Sequence, residues 1–199
     1  MQQNLFKNLK GIVHRNAFIL DVVLFMLITY LFHRLWWMFA SDIKSLDVVI
    51  NTANWLASVV FETSFWIIHH TYDPGSWQEA VNTIRFSNQG YIAVNESCSG
   101  LKQFYQILVL FLIFPGPWKH KAWFIPLSMV IMHLTNVFRI VALGMVTLWW
   151  PEQWQFAHDW ILRPFFYVVL FLLWVWWVEK YGGFSKRLIP DKEVAKVRP

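Results

Sequence analysis

The chain has one cysteine, Cys98, among 199 residues, so it cannot form a disulfide within itself. Charge is also scarce: 15% of residues are charged against 57% hydrophobic, which argues against the soluble domain that the length would suggest. His69, His70, His133, His158 and Asp159 are good metal-ligand types, but no HExxH or comparable spacing joins them, so a metalloenzyme remains a rival without a motif. There is no internal repeat or low-complexity tract. Nor is there the inverted pair of broken helices that marks many transporters. A transporter or non-catalytic scaffold, with Asp21, Glu62 and Arg139 lining a path or joining helices, stays open as an alternative. The first apolar run lacks a small-residue cleavage site, so it reads as a retained anchor and not a removable signal peptide.

What the chain does have is apolar length. Crossing a bilayer core of roughly 30 Å takes about 17 to 25 residues of helix. Stretches at about 17–39, 98–114, 122–148 and 160–178 are predicted to be the spans of an all-α integral membrane protein. The 14 tryptophans gather near the ends of such runs, at Trp36, Trp37, Trp118, Trp149, Trp150, Trp176 and Trp177, as in an interfacial aromatic belt.

The net charge of +5 reports orientation before it reports nucleic acid, which is not an expected partner. Lys7, Lys10 and Arg15 precede the first run, Lys119 and Lys121 follow Phe114, and six more basic residues lie from Lys180 to Arg198. Residues 151–160 contain no Lys or Arg, and 72–97 contain only Arg85. Both termini are therefore expected on the cytoplasmic side of the cytoplasmic (inner) membrane. Residues 45–68 are apolar enough to be a fifth span, but as a helix Asp47, Asn51, Asn54, Ser58 and Glu62 form one polar stripe. The stretch is read as an amphipathic helix at the outer interface. Residues 82–95, with β-prone pieces either side of Ser87-Asn88-Gln89-Gly90, are predicted to form a small extracytoplasmic hairpin. One membrane-embedded unit of residues 1–180 would then carry a mobile tail, 181–199.

Chemistry concentrates at three places. Cys98 lies where the hairpin ends and the second span begins. A lone thiol on an oxidising face asks for a reason, and a helix N-terminus stabilises thiolates, although a small apolar residue packed between helices would look the same. Arg139 falls inside the third apolar run, where a charge is expensive unless it faces the bundle interior or a wet cavity, or snorkels to the interface. His158 precedes the fourth run and alone distinguishes nothing. At about 1.5 Å per residue, Cys98 is roughly 25 Å from the inner end of its run, Arg139 about 25 Å and His158 about 30 Å. All three reach the same outer level.

Together, Cys98-Ser99-Gly100-Leu101, Asn136-x-x-Arg139-Ile140 and the later His158 resemble the motifs of the exosortase and archaeosortase membrane transpeptidases. The resemblance runs from the hairpin to the fourth span, and the chain is similar to compact members of that family. It departs in its short length and in Arg163-Pro164 after the histidine. The resemblance implies a Cys98, Arg139 and His158 catalytic set, supported by Ser97, Ser99, Gly100, Asn136 and Asp159, with no cofactor. It implies cleavage of C-terminal sorting signals of secreted precursors, each with a short motif, one transmembrane segment and a basic tail. A Cys98 thioester would be passed to an acceptor amine or to water.

This topology predicts that a membrane-impermeant thiol reagent labels Cys98 in intact cells, or once any outer barrier is opened. Labelling only after the cytoplasmic membrane is permeabilised would overturn the four-span arrangement.

Overall fold

The computed structural model describes residues 17–44 and 46–183. The predicted tail lies outside them beyond Gly183, as do Lys7, Lys10 and Arg15. The protein is mostly helical. Helix α1 is Ala17–Met38, followed by a short α2, Ala40–Lys44, and by α3, Asp47–Thr71. Three strands come next: β1, Trp77–Ala80; β2, Thr83–Arg85; and β3, Tyr91–Ala93. Helix α4 is Leu101–Ile113 and α5 is Trp118–Trp149. Helix α6, Trp154–Phe156, runs through a π-helical turn, Ala157–Leu162, into α7, Arg163–Tyr181.

Among the described residues three helical stretches are long and apolar enough to cross a membrane: Phe18–Met38, Trp118–Trp149 and Pro151–Tyr181. The stretch expected at 98–114 is not one of them. Its helix starts only at Leu101 and has 13 residues, about 20 Å of rise. The expected four long spans are thus three long helices and a short one. Phe114-Pro115-Gly116-Pro117 stops α4, because neither proline offers an N–H to continue the ladder. Gly116 has φ +154°, and an added Cβ there would lie 2.4 Å from the Trp177 ring, so only glycine lets the chain turn under α7. Lys121, expected in a loop, is in the first turns of α5 and donates from Nζ to the Leu112 carbonyl at 2.9 Å. That bond occupies one of the carbonyls left open by the end of α4.

The chain packs around two hydrophobic cores. The first joins α1, α4, the first half of α5 and α7, and it is strongly aromatic: Phe25 meets Trp174 at 4.8 Å, Phe111 meets Phe124 at 4.9 Å, and Phe124 meets Trp177 at 5.0 Å. The second joins α3, the sheet and the second half of α5 through Val60, Phe61, Ile68, Phe86, Ile92 and Ile140. Helix α5 serves both because its 32 residues extend for about 48 Å, well beyond a bilayer core of roughly 30 Å.

Helix α3 contributes Ala53, Leu56, Ala57, Val60, Phe61, Ser64 and Ile68 to the interior at helical spacing, while Asp47, Asn51, Asn54 and Glu62 are exposed. The polar stripe is therefore turned away from the core. After α3, Asp73 organises the turn into the sheet, accepting from Gly75 N at 3.2 Å and Ser87 N at 2.9 Å. The sheet has the order β1-β2-β3 and is antiparallel throughout, with Ile84 opposite Ile92. The β2–β3 hairpin lies where the sequence predicts it; β1 adds a strand the sequence reading does not contain. Asn88 anchors the hairpin turn on the end of α5, donating to the carbonyls of Thr147 at 2.9 Å and Leu148 at 3.0 Å.

Helix α3 crosses α5 at Gly144, where an added Cβ would lie 2.8 Å from Ile68 Cδ1 and 3.3 Å from Phe86 Cζ. Gly144→Val is therefore expected to cost about 1–3 kcal/mol through overpacking. The check is limited proteolysis in detergent: residues 72–98 should become cleavable while α7 stays protected. Unchanged protection would argue against this packing of α3 on α5.

Candidate active site

Three segments meet where the two cores adjoin. The first carries Cys98 at the end of a 3₁₀ turn, Glu96–Cys98. Asn95 caps that turn, its Oδ1 accepting from Ser97 N at 3.1 Å and Ser97 Oγ at 2.6 Å. Ser99 Oγ then accepts from Leu101 N at 3.2 Å. Gly100 has φ +82° and lies so close to α5 that an added Cβ would be 3.2 Å from Asn136 Nδ2. Both the backbone conformation and the close approach demand glycine there. The thiol expected to open the second span thus stands in a separate turn, three residues before α4 begins.

The second segment is the middle of α5. Asn136 donates from Nδ2 to the Cys98 carbonyl at 2.6 Å, tying the cysteine's backbone to this helix. Arg139, three residues on, shares that face. Its Nη2 is 2.9 Å from His158 Nε2 and its guanidinium carbon is 5.7 Å from the centre of the Phe166 ring. Its Nε is buried with no hydrogen-bond partner.

The third segment is α6 with the π-helical turn. A guanidinium has only donors, so His158 Nε2 must accept from Arg139 and the ring proton is assigned to Nδ1. Asp159 Oδ1 lies 2.8 Å from that nitrogen and accepts the proton's hydrogen bond. Asp159 is held in turn by Arg163 Nη1 at 2.8 Å and by the Gln155 amide. The Trp154 ring stacks on the imidazole at 4.8 Å and 9°. Position and tautomer of His158 are therefore fixed from both sides.

Cys98, Arg139 and His158 line one cavity of about 690 Å³, together with Ser97 and Ser99. Gly100, Asn136 and Asp159 stand behind its wall and position the residues that face it. The cavity also takes in Ile92 and Ala93 of the sheet, Leu143 and Trp154, and Trp36 and Trp37 at the end of α1. Lys102 reaches it from α4, with Nζ 3.3 Å from His33 Nδ1 and 5.0 Å from the centre of the Trp37 ring. Among the described residues no three His, Cys, Asp or Glu side chains gather as metal ligands would. His69 is turned to the Ser76 carbonyl, 3.0 Å from its Nδ1.

Sequence reasoning missed Trp154, Gln155, Arg163, Phe166 and Lys102. The signal for the first three was there: 154 with 158, 155 with 159, and 159 with 163 are all four apart. Reading 151–160 as a loop hid it, since i, i+4 pairing is visible only once the segment is taken as helical.

The family model for transmembrane exosortases matches residues 18–175, a range that includes every site residue named above. No curated protein and no solved structure matches the chain.

Proposed function

Since the chain belongs to the transmembrane exosortase family, we propose that it is a membrane cysteine transpeptidase that cleaves the C-terminal sorting signals of secreted precursors through a thioester on Cys98. One observation carries this reading: the only thiol of the chain shares a cavity with an arginine–histidine pair whose Nη2 and Nε2 are 2.9 Å apart.

Each group has a role that its chemistry supports. The Cys98 sulfur attacks the scissile carbonyl carbon, and its proton passes to His158 Nε2. The oxygen of the tetrahedral intermediate becomes an anion beside Arg139. The unpartnered Nε and the adjacent Nη2 are donors suited to it, and a fixed charge in a dry site is worth more than in water. Before attack, binding of the substrate's carbonyl oxygen draws Arg139 off the histidine, which frees Nε2 to take the thiol proton. Collapse breaks the C–N bond, His158 gives its proton to the leaving amine, and a thioester remains. An acceptor amine or water then attacks it. Asp159, backed by Arg163, holds the imidazole with Nε2 toward the cavity.

The membrane arrangement belongs to the same proposal. Helices α1, α4, α5 and α7 cross the cytoplasmic membrane as one catalytic unit spanning 1–180, with both termini cytoplasmic. Helix α3 and the sheet lie on the outer side. The shared first core of those four helices supports this, as does the packing of α3 on the sheet. The short α4 reaches the outer level only with the turn that carries Cys98, so the nucleophile stands at the membrane boundary.

The decisive experiment isolates a covalent adduct on Cys98 and sequences the attached peptide. Cys98→Ala should abolish processing while the protein accumulates normally in the membrane, and Cys98→Ser should do nearly as badly. Processing above about a tenth of the wild-type rate in the alanine variant would reject covalent catalysis by this thiol.

Arg139→Lys separates catalysis from structure. Lysine keeps the charge but offers a compact ammonium in place of a planar fork of donors. Turnover should fall by about 10² to 10³, the usual loss for one preorganised oxyanion donor. The variant should still co-purify with uncleaved precursor, because the precursor's transmembrane segment binds elsewhere. Near-normal turnover would make Arg139 a structural ion only.

A further inference from the structure

The sheet beside the nucleophile has one guarded edge and one open edge. On the β1 side the ladder shifts register between Gln78 and Ala80, and Glu79 is paired with Arg85 at 2.6 Å. A bulge and a charge are common devices that keep a foreign strand from pairing. On the β3 side there is neither: the edge reads Tyr91-Ile92-Ala93, without charge, proline or bulge.

The register fixes which backbone groups that edge offers. Phe86 N donates to the Gly90 carbonyl at 2.9 Å and Val94 N donates to the Asn82 carbonyl at 2.8 Å. Residues 90, 92 and 94 are therefore the ones bonded to β2, and hydrogen-bonded pairs alternate with unbonded ones along an antiparallel ladder. The N–H and C=O groups of Tyr91 and Ala93 must then point away from β2. Among the described residues no hydrogen bond from these backbone groups is found. They are spaced two residues apart, as a fourth strand would need.

The surroundings of this edge are those of a substrate channel. Ile92 and Ala93 line the same cavity as Cys98, Arg139 and His158, together with Ile140, Leu143 and Trp154. A second recess of about 360 Å³, lined by Asn54, Asn82 and Val94, shares Ala93, Asn95 and Ser97 with the first. The two recesses adjoin along Ala93, Asn95, Glu96 and Ser97, so side chains of a strand laid on β3 would meet both. At Ala93 the outward side chain is a single methyl group. Only four residues separate Ala93 from Cys98, so a chain following β3 arrives at the sulfur.

We propose that the free edge of β3 is the docking strand for the peptide substrate: the extended segment before the scissile bond adds to the sheet as a fourth strand, and the chain then passes Cys98 toward the Trp36–Trp37 end of α1. This rests on the transpeptidase reading above and adds how the substrate is held. Main-chain pairing supplies the affinity and the two recesses supply the selectivity. The substrate runs parallel to β3, since both lead from the outer sheet toward the membrane bundle.

The test uses full-length enzyme in membranes and the precursor recovered as the Cys98 adduct. Ala93→Pro removes one outward donor and no bond to β2, a change tolerated at an edge position. It should lower adduct formation by about tenfold or more. In the same variant, alkylation of Cys98 by a small thiol reagent should keep its wild-type rate. Normal adduct formation in a well-folded Ala93→Pro would overturn the proposal. If that variant does not accumulate, a disulfide walk decides. Ala93→Cys is placed in the Cys98→Ala enzyme, and single cysteines are moved through the precursor upstream of its cleavage point. Crosslinks at every second position are expected, whereas a spacing of three or four, or none, would overturn strand docking. A wild-type enzyme that forms no adduct on Cys98 would sink the transpeptidase reading itself, and this proposal with it. That outcome is distinct from a loss confined to Ala93→Pro.

Discussion

Arg139 carries a permanent charge inside a 32-residue, largely apolar helix, and much of the architecture follows from keeping that charge supplied with partners. An uncompensated charge in such surroundings costs several kcal/mol. The protein meets the cost by building the site around the guanidinium: the imidazole acceptor at 2.9 Å, the Phe166 ring face at 5.7 Å and the cavity in front. The imidazole can accept at Nε2 because its proton is on Nδ1 and is donated in a hydrogen bond to Asp159. Asp159 in turn is held by Arg163. The arrangement is a chain of alternating donors and acceptors that leaves only Arg139 Nε buried without a partner.

The placement of that chain explains the two cores. On the transpeptidase reading proposed above, the site must admit a peptide yet limit water, and neither the centre of a bilayer nor an open surface does both. Helix α5 resolves this by passing from the aromatic bundle into the sheet-capped core, with Met132 in the first and Val137 in the second. Asn136 and Arg139 fall at the junction. The cysteine is pinned there by its own backbone, through the 2.6 Å bond from Asn136 to its carbonyl. Its backbone is thus fixed by α5, while its side chain packs partly buried against the second core and also lines the cavity.

Much of this was legible in the sequence wherever a long-range period carried it. Apolar length marked α1, α5 and α7, the polar stripe of Asp47 to Glu62 marked the exposed face of α3, and the Ser87–Gly90 turn marked the β2–β3 hairpin. A shared depth of about 25–30 Å at 1.5 Å per residue was enough to group Cys98, Arg139 and His158. What escaped was short or set by tertiary contacts. Strand β1, Trp77-Gln78-Glu79-Ala80, is exposed at all four positions and has no alternation to read. Trp154 to Asp159 fell outside the predicted spans because the segment follows Pro151 and mixes polar with aromatic residues, and a π-helical turn has no simple periodic signature. The length of α4 was overestimated because Cys98 to Gly100 are small enough to pass as helix, whereas the left-handed φ of Gly100 excludes them.

The charge balance of the cavity bears on rate as well as on structure. Lys102, Arg139 and Arg163 line it against Glu96, with Asp159 already committed to His158 and Arg163. The field inside is therefore positive. In an acyl transfer through a thiol, the uncleaved peptide and the thioester are neutral at the reacting carbonyl, while the tetrahedral state between them carries a full negative charge. A fixed positive field stabilises that state more than either neighbour, and only such a difference accelerates the chemical step. Lys102 adds to that positive charge from the side of α1, its Nζ held toward His33 at 3.3 Å and over Trp37. On the transpeptidase reading proposed above, this excess of positive charge would favour the anionic tetrahedral state, while Arg139 itself is made tolerable by its opposite partners: the His158 acceptor and Asp159 behind it.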